Sequence, residues 1–241
     1  MVERTERVLV LYASQTGNSE QAAKDVCAQM PTKLSPAQLS QLTACKDHIT
    51  LQPVAMQLDD FLEIERCQWT RLVVICVSSY GVGQAPLGGY RFRDLCDTWA
   101  QDKPASLLKG VQFALLGLGD SKFTTFFENP TKINETLQAV GAKRVGPLGK
   151  ADASGKGNEK QSLVIERWID GIWPFLAQVV VEEPLSPEAL AAMQEKTVAL
   201  CRKINPDFPA ETSSSNSSFL VLSLLVALLA ALVGYYYYGQ S

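Results

Sequence analysis

Three hydroxyl- and glycine-bearing stretches carry residue types that could do chemistry together. The first is Ser14-Gln15-Thr16-Gly17-Asn18-Ser19. An apolar run at 8–12 precedes it and a helical pattern at 19–30 follows it, so a strand delivers this turn to the start of a helix. A helix N-terminus has unpaired N–H groups and the positive end of the macrodipole, which together suit an anion. Ser14, Thr16 and Ser19 add hydroxyl donors, and Gly17 lets the backbone approach closely. The turn has neither the Lys of a triphosphate loop nor a Gly-x-Gly-x-x-Gly pattern. Neutral donors without a basic side chain favour a single phosphate. Taken alone, the same turn also reads as an ordinary capped helix start.

The second stretch, Ser78-Ser79-Tyr80-Gly81-Val82-Gly83, follows an apolar run at 71–77. The third, Gly117-Leu118-Gly119-Asp120-Ser121-Lys122-Phe123, follows one at 111–116. Each offers glycines for close approach and one aromatic at similar depth. Tyr80 and Phe123 could sandwich a planar ring while backbone amides bond its polar edge, an arrangement that a flavin requires. Either aromatic alone reads better as a loop hydrophobe packed on the sheet. Both beside a phosphate turn favour an FMN site.

The elements that must position these loops alternate between strand and helix patterns. Strands are expected near 8–12, 49–56, 71–77, 111–116 and 144–148. Helices are expected at 19–30, 36–46, 91–100, 130–140 (ending at Gly141) and 159–181, with a kink at Pro174. This rhythm predicts an α/β fold, a flavodoxin-like doubly wound five-stranded parallel sheet of order 2-1-3-4-5. In such sheets the ligand lies outside the carboxyl ends of the strands at the switch point, where the turn at 14–19 falls.

Composition excludes several classes. A charged fraction of 20% and a net charge of -3, with no basic block, argue against nucleic acid. His48 is the only histidine, so His-based triads and multi-His metal sites are excluded, and a surface or turn position is expected for it. The six cysteines are scattered without Cys-x-x-Cys, which supports no metal or disulfide framework and suits a reducing compartment. Cys76 is expected in the core.

The far end is different. Residues 219–234 carry no charge, and Tyr235, Tyr236, Tyr237 and Tyr238 follow. About 20 residues suffice to cross the hydrocarbon core as a helix, and tyrosines suit the interface. A C-terminal transmembrane anchor is therefore expected at 219–238, joined to the domain by a linker at 182–218 that holds an amphipathic helix at 187–203. Arg202 and Lys203 precede the span and no basic residue follows it, which places the globular part in the cytosol. The uncharged tail leans towards the endoplasmic reticulum over the mitochondrial outer membrane. No N-terminal signal pattern is present.

Taken together, Ser-Gln-Thr-Gly at 14–17, Ser-Ser-Tyr-Gly-x-Gly at 78–83 and Leu-Leu-Gly-Leu-Gly-Asp-Ser at 115–121 resemble the flavodoxin family, and specifically the FMN domain of diflavin reductases. That group includes cytochrome P450 reductase and methionine synthase reductase. Leu137-x-x-x-Gly141-Ala142 and Trp168-Ile169-x-Gly171-x-Trp173-Pro174 are most similar to the latter. The resemblance spans residues 7–181. It implies that Ser14, Gln15, Thr16, Gly17, Asn18 and Ser19 hold the FMN phosphate. Ser78, Ser79, Tyr80 and Gly81 would contact the isoalloxazine, with Tyr80 on one face. Leu118, Gly119, Asp120, Ser121, Lys122, Phe123, Thr124, Thr125, Phe126 and Phe127 would contact the ring and ribityl chain, with Phe123 on the other face. Phe123 stands where cytochrome P450 reductase has tyrosine. Gln84 and Leu87 stand where acidic residues are usual, and the acidic cluster after the fifth strand is reduced to Asp152, the only carboxylate there able to assist electron transfer.

No pyridine-nucleotide motif occurs. The expectation is a tail-anchored FMN one-electron carrier with no catalytic residue and no metal. A separate NAD(P)H-dependent FAD reductase would load it, and a membrane-bound acceptor, such as a haem or iron oxygenase, would unload it. Two rivals stand beside it: an FMN-dependent quinone or small-molecule reductase, and a non-redox adaptor that has lost FMN, for which Gln84, Leu87 and Ala153 speak.

Overall fold

The computed structural model describes residues 3–204, apart from 43–47, 64, 65 and 184. The elements in chain order are β1 (Glu3–Ala13), α1 (Asn18–Lys33), α2 (Pro36–Leu39), β2 (His48–Gln57), α3 (Leu58–Phe61), β3 (Leu72–Ser78), α4 (Tyr90–Asp102), β4 (Gln112–Gly119), α5 (Glu128–Ala139), β5 (Lys143–Arg144), β6 (Gly149–Asp152), α6 (Gln161–Val181) and α7 (Pro187–Ile204). All strand pairings are parallel. The order is β2-β1-β3-β4-β5, with β6 also on β4.

Val8, Leu9, Val10 and Leu11 are all fully buried, as are Val73 to Val77. Consecutive burial means that both faces of the sheet are covered, as in doubly wound folds. α1 and α6 share one core with Val8, Val10, Val74 and Leu116. α4 and α5 cover the opposite face, where Trp69 packs against Phe61, Phe92 and Trp99. Pro53 is tolerated in β2 because that strand is the sheet edge and one side of its backbone needs no ladder bond. His48 opens the same strand and is exposed, while Cys76 is fully buried.

Three expectations need correction. The fifth strand is not the continuous run 144–148. Gly146 has a φ of 68°, and Pro147 has no N–H to give, so the ladder breaks there and resumes at Gly149. β5 and β6 are therefore two short pieces on the same side of β4. The helix expected at 36–46 is α2 alone, four residues long, with 43–47 outside the described residues. The last domain helix starts at Gln161, after a 3-10 turn at Gly157–Glu159, and continues to Val181 with Pro174 inside it. α3 had no sequence signal. It serves α4: the carboxylate of Asp59 accepts the N–H groups of Tyr90 and Phe92, both at 3.0 Å.

α7 lies against α4, with Met193, Thr197 and Cys201 buried on one helical face. Among the described residues no helix is long and apolar enough to cross a membrane. The segment expected to do so, 219–238, lies outside the described residues.

At the amino ends of the strands, a buried ionic clamp joins sheet and helix. One Arg71 nitrogen lies 2.8 Å from both carboxylate oxygens of Glu6 and donates to Val180 O at 3.0 Å, while the other reaches Glu182 O at 2.8 Å. Arg4 adds a bond to Val180 O at 2.7 Å and pairs with Glu6 at 3.0 Å. Two guanidinium groups thus meet the negative end of α6, whose last carbonyls have no helical partner. Removing one member of a buried pair strands the other. Glu6→Ala is expected to lower stability by ~2–3 kcal/mol in urea unfolding, with the secondary structure retained.

Candidate functional site

β1, β3 and β4 end at one level. Ala13 pairs with Val77, and Ser78 pairs with Leu118. The three loops that follow therefore leave the same edge and enclose a cleft of about 620 Å³.

The first loop is folded on Ser14, whose Oγ accepts the N–H of Gly17 at 3.0 Å and of Ser19 at 3.3 Å. Gly17 stands at the cap position of α1 at a φ of 90°, a backbone state that side chains resist, so the side-chain cap comes from Ser14. Asn18 and Ser19, the first two residues of α1, line the cleft. Ser19 lines the cleft at 1% exposure, and its buried hydroxyl has no hydrogen-bond partner.

The second loop closes on itself. The backbones of Tyr80 and Gln84 exchange bonds of 3.0 and 2.9 Å around Gly81 and Gly83, whose φ values are 54° and 85°. This presents Tyr80 at 47% exposure. The third loop turns at Asp120 and Phe123, with Phe123 57% exposed. Bonds between loops hold the set together. Leu87 N–H reaches Gln15 Oε1 at 3.4 Å, and the Thr125 hydroxyl reaches Gly81 O at 3.3 Å.

The cleft is lined from the first loop by Gln15, Thr16, Asn18 and Ser19. Ser78, Ser79, Tyr80 and Gly81 line it from the second, and Leu118, Gly119, Asp120, Phe123, Thr125 and Phe126 from the third. Ser14 and Gly17 frame the turn without lining the cleft. Ser121, Lys122 and Thr124 are exposed on the loop and also lie off its wall. Phe127 turns inward at a φ of 66° and is buried. Its ring fills the space where a Cβ on Gly117 would stand, 2.4 Å away.

Asp152 sits behind the third loop, where it accepts the N–H groups of Ser121 and Ser154, both at 2.9 Å. Asp120 accepts the Ser154 hydroxyl and the Lys122 N–H. Burial alone would raise the Asp152 carboxyl, but these bonds and nearby Lys150 bring it below the ordinary carboxylate value. The Ser154 hydroxyl does most to hold Asp120 below that value.

Ala153 and Gln161 line the cleft without having been anticipated. Gln161 accepts Asn18 Nδ2 at 3.0 Å and donates to Ala151 O at 3.2 Å and Gly119 O at 3.4 Å. It therefore clasps the first loop to the ends of β4 and β6. Asn129 was also missed. Fully buried, it donates to Ser78 O at 2.9 Å and to Ser79 Oγ at 3.0 Å, and it accepts from Arg93 at 3.0 Å.

A doubly wound sheet with its cleft at the switch point defines the fold class, and comparison with known proteins gives the family. Residues 10–166 match the flavodoxin family model, and the chain belongs to that family, whose members hold FMN and carry electrons. It is 32% identical over 186 residues to "Pyruvate dehydrogenase [NADP(+)], mitochondrial" of Euglena gracilis, covering 76% of this chain and 9% of that one. Human methionine synthase reductase is 31% identical over 170 residues, covering 70% of this chain and 21% of that one. NADPH--cytochrome P450 reductase of Saccharomyces cerevisiae is 30% identical over 177 residues, covering 73% and 22%. The chain thus spans about a fifth or less of the length of these relatives.

The residues present fit the family's cofactor. A helix start with a buried unpaired hydroxyl suits one phosphate, and two half-exposed aromatics from separate loops line the same cleft. Asp120 and Asp152 hold the third loop only while ionised. Their lowered pKa means that this contribution is complete above the ordinary value near 3.8 and is lost as pH falls through the depressed values. Flavin retention, followed by fluorescence, is therefore expected to stay flat from pH 7 to about 4 and to fall only below that range.

Proposed function

We propose that this chain is an electron carrier holding FMN in the cleft described above. A separate NAD(P)H-dependent FAD reductase loads it, and it delivers electrons to a membrane-associated acceptor such as a haem or iron oxygenase. The chemistry that FMN supplies when bound is the uptake and release of single electrons. The chain's own residues bind, orient and expose it. The turn at 14–19 receives the phosphate through the N-terminus of α1 and the Ser19 hydroxyl. Tyr80 and Phe123 flank the ring.

The observation that carries this reading is the contrast between the two ends of the cleft. Ser19 is 1% exposed, whereas Tyr80 and Phe123 are 47% and 57% exposed. A ligand held there meets a buried, unpaired hydroxyl at its polar end and two half-exposed rings at its aromatic end, within reach of a docked partner. The names of two relatives support the assignment of partners: one is a methionine synthase reductase, the other a cytochrome P450 reductase, and each includes a segment like this one.

The rim carries two well-exposed apolar side chains, Val82 at 74% and Leu87 at 63%, among exposed polar ones, Gln84, Lys122 and Glu128. A patch of this kind favours partners that dock through apolar contacts. In the sequence, the uncharged run 219–234 followed by four tyrosines supports a tail anchor at 219–238, behind a linker at 182–218, with the domain at 7–181 in the cytosol and the endoplasmic reticulum as its membrane.

The purified full chain is expected to bind FMN one to one, and a protein that takes up no FMN would sink the reading. Ser19→Ala should weaken FMN about tenfold or more, because a bond to a charged group is lost, without lowering the Tm of the cofactor-free protein. Tyr80→Ala should likewise weaken binding. NADPH alone should leave the flavin oxidised, and reduction without a partner reductase would revive the small-molecule reductase alternative. With the partner present, the rate should vary little between 50 and roughly 300 mM salt, unlike docking by charge steering. The full chain should resist carbonate extraction from membranes, and a chain ending at residue 218 should not.

A further inference from the structure

β6 lies beside β4 so that Gly117 is opposite Lys150 and Gly119 opposite Asp152. The two glycines leave sockets on β4, and the next loop fills both with rings. A Cβ on Gly117 would stand 2.4 Å from the Phe127 ring, and one on Gly119 would stand 2.9 Å from the Phe126 ring. The rings pack 5.9 Å apart at 55°. Lys150 Nζ lies 4.8 Å from the Phe126 centroid and 5.1 Å from the Phe127 centroid. Both distances are within reach of a cation–π attraction. Phe127 adopts a φ of 66°, which a bulky residue keeps only when its surroundings hold it there. Phe126 forms part of the cleft wall, and Lys150 does not.

We propose that Lys150 is a positioning residue for the cofactor, pinning the Phe126–Phe127 pair into the glycine sockets so that Phe126 stands as a fixed wall of the cleft, and placing a positive charge behind that wall. The proposal rests on the FMN reading above. It has two separable consequences. A pinned wall raises the affinity for FMN in any oxidation state. A cation behind the wall favours whichever state of the ligand carries more negative charge, so it raises the midpoint potential. A purely structural lysine would do neither selectively.

The test compares the full chain with its Lys150→Met and Lys150→Arg variants. FMN dissociation constants come from fluorescence quenching, and midpoint potentials from spectroelectrochemistry. Lys150→Met is expected to weaken FMN about fivefold and to lower the potential by the equivalent of about a two- to fivefold loss in preference for the reduced cofactor. Lys150→Arg, which keeps the charge over the rings, should stay within about twofold of the parent on both readouts. In a Phe126→Leu background, Lys150→Met should cause a clearly smaller further loss of affinity, because the Phe126 contact is already gone and only the Phe127 contact and the charge remain. The proposal is overturned if Lys150→Met matches the parent on both readouts, if Lys150→Arg is as impaired as Lys150→Met, or if the losses in the Phe126→Leu background are additive. A parent chain that binds no FMN removes the cofactor reading itself, whereas a binding parent with an indifferent Lys150 removes only this proposal. Should Lys150→Met not fold, Lys150→Gln, which also removes the charge, takes its place under the same criteria.

Discussion

The cleft depends on the strand register more than on any one side chain. Ala13, Val77 and Leu118 lie within one rung of each other at the carboxyl edge. Only at that level do the turn at 14–19, the closed loop around Gly81 and the loop after Gly119 meet. The register is fixed because the central strands are buried on both faces. A one-residue slip would exchange Val8 and Val10 with Leu9 and Leu11 between two differently shaped cores. At the opposite edge, Arg71 ties Glu6 of β1 to the last carbonyls of α6. The same helix begins at Gln161, which reaches Asn18, Ala151 and Gly119. α6 is therefore secured to the sheet at both ends, and its amino end helps to close the cleft.

The parts of the site that could be read from sequence were those in which local chemistry and element order agree. A strand pattern, a hydroxyl-rich turn with Gly17 and a helix pattern leave few alternatives for residues 14–19. The same logic located Tyr80 and Phe123 on loops after buried strands, and five strand signals were enough for the order β2-β1-β3-β4-β5. What escaped depends on contacts between distant elements. Nothing near Gln161 or Asn129 in the chain marks either as a clasp, because their partners lie on other loops. Phe126 and Phe127 are adjacent and chemically alike. Only the left-handed backbone at Phe127 sends one ring to the core and leaves the other on the cleft wall. The Gly146-Pro147 pair was visible in the sequence, and its glycine turn and missing N–H do break the fifth strand. The carboxylate of Asp152 was read as a candidate for electron transfer, and what its contacts show is one oxygen holding two loop amides.

Polarity is graded across the cleft. Neutral donors at the start of α1, with the buried Ser19 hydroxyl among them, occupy one side, and the ionised Asp120 and Asp152 are turned to holding the third loop. Tyr80, Phe123, Val82 and Leu87 occupy the outer side, all more than two-fifths exposed. An enzyme that converts a small substrate over a flavin needs an enclosed space that excludes water and holds the substrate against the ring. Here the aromatic end lies at the surface, with Tyr80 and Phe123 about half exposed. What the outer rim offers instead is a contact surface on which the apolar Val82 and Leu87 are well exposed. Electron transfer requires little more from the protein than this: a cofactor held firmly by its polar end and an exposed edge that a partner can approach. The gradient therefore favours the carrier over the small-molecule reductase, and it does so through the placement of exposed and buried groups rather than through any single catalytic feature.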